Sequence, residues 1–274
     1  MLSWQINIML ITSTFLIIAS YTDLKKREVP DWISYGLIFS ALGVRLLYSI
    51  NYGWEILITG FLGLITCIIL AYLFYLTNQW GGGDSKILMG MGAVIGLDYD
   101  LQLIFFFLGL LIVGAAFGLI WCLILAIKKR IAFIKEFKEI ITKTKKWQII
   151  SIVSSGVFLI LTLIYYQLLW LLIPFPIGMY YLLVFAKATE KSCFTKKVEV
   201  KNLVEGDWLA EDIIISPQKT ISAKQSLNKQ DLRQIWQLNS EKNISPILIK
   251  EGIPFIPAFL FSYIILIITN FNSY

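Results

Sequence analysis

The chain has 274 residues, 57% of them hydrophobic and 15% charged, with a mean hydropathy of +0.73 and a formal net charge of +6. That balance excludes an ordinary soluble domain, whose core would need far more polar surface to cover it, and implies a polytopic membrane protein. The absence of histidine removes Ser-His-Asp and Cys-His catalysis and every His-ligated metal site.

Cys67, Cys122 and Cys193 are scattered and form no CxxC pair. They are read as small hydrophobes, not as a disulfide framework or a zinc motif. The chemistry left to the chain is that of carboxylates, lysines, hydroxyls and backbone, so no metal and no cofactor are expected. The basic residues fall in blocks beside apolar runs, which is the pattern of membrane topology. Nucleic acid is therefore not an expected partner, and the lipid bilayer is.

Residues 5–22 are apolar and are followed by Lys25, Lys26 and Arg27. A cleavable signal would carry its charge before the apolar run. The reversed order predicts an uncleaved first span with its N-terminus outside and Asp23 at the cytoplasmic mouth. Val29-Pro30-Asp31 opens a second span over 32–50, with Pro30 where a missing N–H costs little. Asn51 to Trp54 form an external turn, and a third span over 55–77 returns inside, ending near Asn78.

Next comes Trp80-Gly81-Gly82-Gly83-Asp84-Ser85-Lys86, on the same side as Asp23. A short fourth span over 85–97 carries Gly90, Gly92 and Gly96, which permit close helix packing. Asp98 and Asp100 fall in an outside turn, and a fifth span covers 101–127. The loop 128–147 holds Lys128, Lys129, Arg130, Lys135, Lys138, Lys143, Lys145 and Lys146 and is assigned to the cytoplasm, solvated or against anionic headgroups.

Residues 148–186 are apolar apart from Pro174 and Pro176 and are taken as two spans with a turn near Tyr166 and Gln167. Residues 187–251 turn polar. They predict strands at 197–201, 208–216 and 246–250, a turn at Glu205-Gly206-Asp207, and a helix over 228–238 capped by Asn228. A last span covers 257–270. The expected fold is thus all-α and polytopic, with about eight transmembrane helices (six to eight), and a small soluble α+β insert before the last. Its parts are a membrane core at 1–127, the basic loop 128–147, further spans at 148–186, the insert at 187–251 and the terminal span in 252–274.

Of the acids at the edges of spans, Asp23, Asp31 and Asp84 share the inside face by this topology. An ionised carboxylate near hydrocarbon costs at least about 2.5 kcal/mol, so its presence there asks for a function. Two carboxylates facing one site cannot both ionise cheaply and share a proton. One can then activate a water while the other protonates a carbonyl oxygen, which is aspartic peptide hydrolysis and needs no metal, histidine or serine nucleophile. The three glycines leave room for an extended substrate backbone beside Asp84. Ser85-Lys86 does not suit a Ser-Lys hydrolase, because adjacent helical residues do not face one another.

Asp23 with Lys25, Lys26, Arg27, Val29 and Pro30, followed by Gly81-Gly82-Gly83-Asp84-Ser85-Lys86, resembles the type IV prepilin peptidases. These are membrane aspartic endopeptidases of the GxGD class, which includes the archaeal preflagellin peptidases. The resemblance covers about residues 8–125, and more loosely the Gly252-Ile253-Pro254-Phe255-Ile256-Pro257 segment. It implies cleavage of the basic leader from prepilin or preflagellin-like precursors at the cytoplasmic face of the cell membrane, in the service of type IV pili or the archaellum. Carried over by position, Asp23 and Asp84 are the catalytic pair. Gly81, Gly82, Gly83 and Lys86 support the site, Lys86 either by tuning the pair or merely by reaching to the headgroups.

Two departures matter. Asp31 stands where bacterial members have Asn, and is either a helix-start acid or a third carboxylate. No cysteine-rich domain of the kind linked to N-methylation is found, so peptidase activity without methyltransferase activity is expected. Pro257-Ala258-Phe259 is similar to the PAL element of presenilin-like and signal-peptide-peptidase-like proteases, which makes them the alternative. That family, however, places its aspartates on consecutive spans. A transporter relaying protons through Asp23, Asp84 and Lys86 is a third reading, and expects charges near mid-bilayer and an inverted repeat.

Overall fold

The computed structural model describes residues 2–77, 79–98, 101–165, 170, 172–216, 219–222, 227–242, 246–250 and 252–271. The chain divides into two compact units, residues 1–120 with 253–274, and residues 121–252.

The first unit contains α1 (Leu2–Lys26), α2 (Asp31–Tyr52), α3 (Glu55–Leu76), α4 (Gly82–Ile95), the first two-thirds of α5 (Gln102–Lys128) and α10 (Ile256–Phe271). Its exterior is apolar: Phe39, Ile69 and Ile112 are largely exposed, while Ser34, Arg45 and Ser49 are buried. That inversion of the soluble pattern is what lipid as solvent requires. Helices α1, α2, α3, α5 and α7 (Lys145–Tyr165) contain stretches long and apolar enough to cross a membrane. The apolar stretch of α10, Ile256–Thr269, is shorter.

Helix α4 has only 14 residues and lies at the centre of this unit, against α2 and α3, with most of its residues buried. The expectation for its glycines holds. A Cβ at Gly90 would stand 2.7 Å from Leu37, and one at Gly92 would strike the Gly63 carbonyl of α3 and the Cys67 side chain. Gly96 ends the helix at φ +82, a conformation that L side chains rarely adopt.

So short a helix leaves its terminal carbonyls inside apolar surroundings, where an unpaired backbone group costs several kcal/mol. Arg45 of α2, 1% exposed, supplies the partners. Its Nη2 donates to the carbonyls of Val94 and Ile95 at 2.8 and 2.9 Å. Its Nη1 donates to the Ile56 carbonyl at 2.7 Å and to Thr59 Oγ1 at 3.0 Å. One guanidinium thus ties α2, α3 and α4 together at the end of α4 away from Asp84.

The second unit contains α6 (Arg130–Lys143), α7, α8 (Phe175–Cys193), α9 (Lys229–Lys242) and the strands. The basic stretch expected as a loop is helical. Phe133, Phe137, Ile140 and Ile141 recur at helical spacing and pack with Tyr180, Val184 and Ala188 of α8. Their period was masked by the density of lysines between them.

Residues 148–186 do form two helices, and the turn expected at Tyr166 and Gln167 lies outside the described residues. Helix α8 continues past the expected end at 186 to include Lys187, Glu190 and Lys191, and it is not among the helices long and apolar enough to cross. The Lys129 ammonium donates to the Cys193 carbonyl at 2.8 Å and so caps its C-terminal end.

In the insert, β1 (Thr195–Val198), β5 (Ile247–Lys250) and β2 (Trp208–Leu209) form an antiparallel sheet in the order β1-β5-β2. Strands β3 (Ile213–Ser216) and β4 (Lys219–Ile221) form a separate hairpin. The single strand expected over 208–216 is therefore two strands in two sheets. The strand expected at 197–201 breaks at Val200, which turns into a 3-10 helix, Val200–Asn202, with its side chain in the core. Helix α9 is capped as expected. Asn228 Oδ1 accepts the N–H groups of Gln230 and Asp231 at 2.8 Å each, and Asp231 accepts that of Asn228. Leu232 and Ile235 enter a core shared with Leu209, Ile221, Leu227, Ile247 and Ile249.

Candidate active site

Asp23 lies in the last turn of α1 and is 7% exposed. The chain leaves α1 through Arg27 at φ +59, an uncommon conformation for a residue with a side chain. The Arg27 N–H closes the turn on the Asp23 carbonyl at 2.9 Å. The positive charge of Arg27 acts on the Asp23 carboxylate. Asp23 Oδ2 accepts the Ile256 N–H at 3.0 Å, and the Phe255 backbone lies beside this carboxylate. Both residues belong to the turn that leads into α10.

Asp84 occupies the third position of α4 and is half-buried. Gly81 precedes the helix in extended conformation, φ −72 and ψ 165, and a Cβ built on it would stand 3.6 Å from Asp84 Oδ2. An acid at the third helical position is where a capping box places its acceptor. The charge of Asp23 acts on Asp84, so the two carboxylates, from α1 and α4, are brought within electrostatic reach of one another.

Trp80 is the joint between this turn and the rest of the unit. Its ring stacks on Phe74 at 4.8 Å and meets Phe255 and Phe259 at 5.6 and 5.7 Å. Gly114 of α5 faces the Phe255 ring so closely that a Cβ there would stand 2.7 Å from it.

Lys86 pairs with a carboxylate other than Asp23 and Asp84. Its ammonium pairs with Asp31 at the start of α2. Asp31 is exposed, which makes the pair worth little, about 1 kcal/mol at most. The third carboxylate is thereby engaged by the lysine, and α2 and α4 are pinned at their N-terminal ends. Ser85 is buried in the core while Lys86 pairs at the surface. Among the described residues, no group of three or more acidic or cysteine side chains could hold a metal ion.

The glycines separate into two kinds. A Cβ at Gly83 would stand 3.2 Å from Val29, in the turn between α1 and α2, whereas one at Gly82 would meet nothing within 4 Å. Gly83 therefore serves the packing of Val29, and the open space suited to a peptide lies at Gly82. Gly83→Leu is expected to lower the melting temperature in detergent together with cleavage. Gly82→Ala is expected to leave stability within about 0.5 kcal/mol of wild type. Equal stability losses in the two variants would remove the distinction.

The structure brings Asp23 and Asp84 within electrostatic reach, with Gly81 beside Asp84 and with Gly82 and Gly83 in the same helical turn, whereas the neighbourhood of Arg27, Trp80, Phe255 and Ile256 was not expected. Their one sequence signal is the Gly252–Pro257 segment, whose prolines and glycine mark a shaped turn ahead of an apolar helix. Nothing in it points back to Asp23, more than two hundred residues earlier.

Residues 10–131 match the family described as the type IV leader peptidase family. Over 85 residues the chain is 36% identical to the preflagellin peptidase of Methanococcus maripaludis and 39% identical to that of Methanocaldococcus jannaschii. Over 81 residues it is 40% identical to the preflagellin peptidase of Methanococcus voltae. Each match covers 29% of this chain and 34–35% of the relative, so the chain spans about a third of the length of the curated relatives it matches. No solved structure is similar.

Proposed function

Residues 10–131 match the type IV leader peptidase family, and from that match we propose that this chain is a membrane aspartic endopeptidase of that family. Its substrates are preflagellin-like or prepilin precursors. The observation that carries the reading is the approach of Asp84 and Asp23 to within electrostatic reach, two acids from separate helices at the ends of apolar segments, with Asp23 held by the Ile256 N–H.

The chemistry follows from two carboxylates sharing one proton. The ionised carboxylate removes a proton from a water, whose oxygen adds to the scissile carbonyl. The protonated carboxyl gives its proton to the carbonyl oxygen, forming a gem-diol. Collapse of the gem-diol breaks the C–N bond as the leaving nitrogen takes up a proton and the second hydroxyl returns one. Atoms balance with water alone, and the pair ends with one proton, as it began. The scissile bond lies between a basic leader and an apolar helix. The basic blocks after α1 and α5 support a cytoplasmic site with the N-terminus outside. The aspartic mechanism, this topology and the absence of methyl transfer are parts of the proposal.

The test is cleavage of preflagellin-like and prepilin precursors by membranes containing the full chain. The expected product is one mature protein with an unmethylated N-terminus, cut after the basic leader. Precursors that stay intact across both classes would overturn the proposal.

A further inference from the structure

We propose that the turn into α10 positions both aspartates at once, so that the last helix is part of the catalytic apparatus and not merely a membrane anchor. The inference rests on the peptidase reading above.

The Ile256 N–H donates to Asp23 Oδ2 at 3.0 Å in a buried setting. An N–H can only donate, so Oδ2 is fixed as an acceptor. The proton that the two carboxyls share is thereby directed to another oxygen of the pair. From the same turn, Phe255 and Phe259 clasp Trp80, the residue before the Gly81–Asp84 turn. Ile256, Ala258 and Phe259 are fully buried, which makes the turn a rigid block. The Ser262 hydroxyl bonds back to the Ala258 carbonyl, and Tyr263 is buried beside Thr12 of α1. Helix α10 thus packs on α1, and its first turn is fastened to each carboxylate by a different means: a hydrogen bond to Asp23, aromatic packing behind Asp84. Ile256 is a positioning residue acting through its backbone amide. A misplacement of about 1 Å in such a site can cost roughly 10²-fold in rate.

The test compares Ile256→Pro, which removes the N–H at a helix start where proline is tolerated, with Ile256→Val, which keeps it. Cleavage of a precursor in membranes is resolved into kcat and KM. Ile256→Pro is expected to lower kcat roughly 10²-fold with KM within about threefold, and Ile256→Val to stay within about threefold of wild type in both. Retained kcat in Ile256→Pro, or an equal loss in Ile256→Val, overturns the proposal.

A second measurement needs neither cleavage nor a stable proline variant. In the detergent-solubilised chain labelled with ¹⁵N-isoleucine, the Ile256 amide resonance, assigned by its disappearance in Ile256→Val, is expected to move in Asp23→Ala and to stay in place in Asp84→Ala. An Ile256 amide indifferent to Asp23→Ala overturns the proposal by itself. If the wild type cleaves no precursor while this resonance follows Asp23, the peptidase reading fails and the tie between Ile256 and Asp23 stands.

Discussion

Asp23→Asn and Asp84→Asn are each expected to abolish precursor cleavage, lowering the rate by about 10²–10⁴-fold, the range that general acid–base catalysis supplies. The double variant is expected to be no worse than the weaker single one, because the two groups act as a unit. Asparagine keeps the size of the side chain and one acceptor oxygen. The Ile256 N–H therefore retains a partner at position 23. Both variants should reach the membrane in normal amount with an unchanged melting temperature, so the loss reports on chemistry. Full activity in either variant sinks the mechanism. The same pair of variants separates Asp31 from the site: Asp31→Asn breaks only the pair with Lys86, and its effect on rate should be small beside theirs.

The second large effect lies away from the carboxylates. Arg45→Leu removes the donors to the Ile56, Val94 and Ile95 carbonyls and to Thr59. It leaves these acceptors buried without their partner. Breaking a buried charged network by deleting one member costs about 3–5 kcal/mol. For a chain of this size that corresponds to a fall in melting temperature of roughly 10 °C, measured in detergent. Cleavage should fall in step with the folded fraction and KM should not change, because Arg45 braces the far end of α4 and touches neither aspartate. Arg45→Lys should rescue only part of the stability, since an ammonium lacks the planar fork that serves carbonyls on two helices. A melting temperature within a degree or two of wild type in Arg45→Leu would remove the brace.

The basic stretch shows how a strong signal can hide a weaker one. Eight lysines and arginines between 128 and 146 read as a solvated loop. Phe133, Phe137, Ile140 and Ile141 nonetheless carry a helical period, and the face they form is buried on α8. The insert went the other way. Its helix, cap and third strand were legible locally, because caps and amphipathic periods are short-range features. The partition of 208–216 into two sheets was not, because strand partners are chosen by segments far off in the chain. Lys86 was expected either to tune the aspartates or to reach the headgroups, and the structure gives it Asp31 as an ion-pair partner. An exposed ammonium can reach several acids, and the distance to Asp31 decides among them.

The sequence by itself determined that this is a helical membrane protein and that a short, glycine-rich packed helix carries Asp84 near its start. Each of these follows from hydropathy, charge placement and local backbone chemistry, which act over a few residues. Only the tertiary structure decided that Arg45 closes the end of α4, that Gly83 serves Val29 while Gly82 stands open, and that Asp23 is held by the backbone amide of Ile256. The reason is physical. In an apolar interior every backbone donor and buried charge must find a partner wherever the fold brings one, and a backbone amide leaves no trace in the side-chain sequence by which that partner can be read.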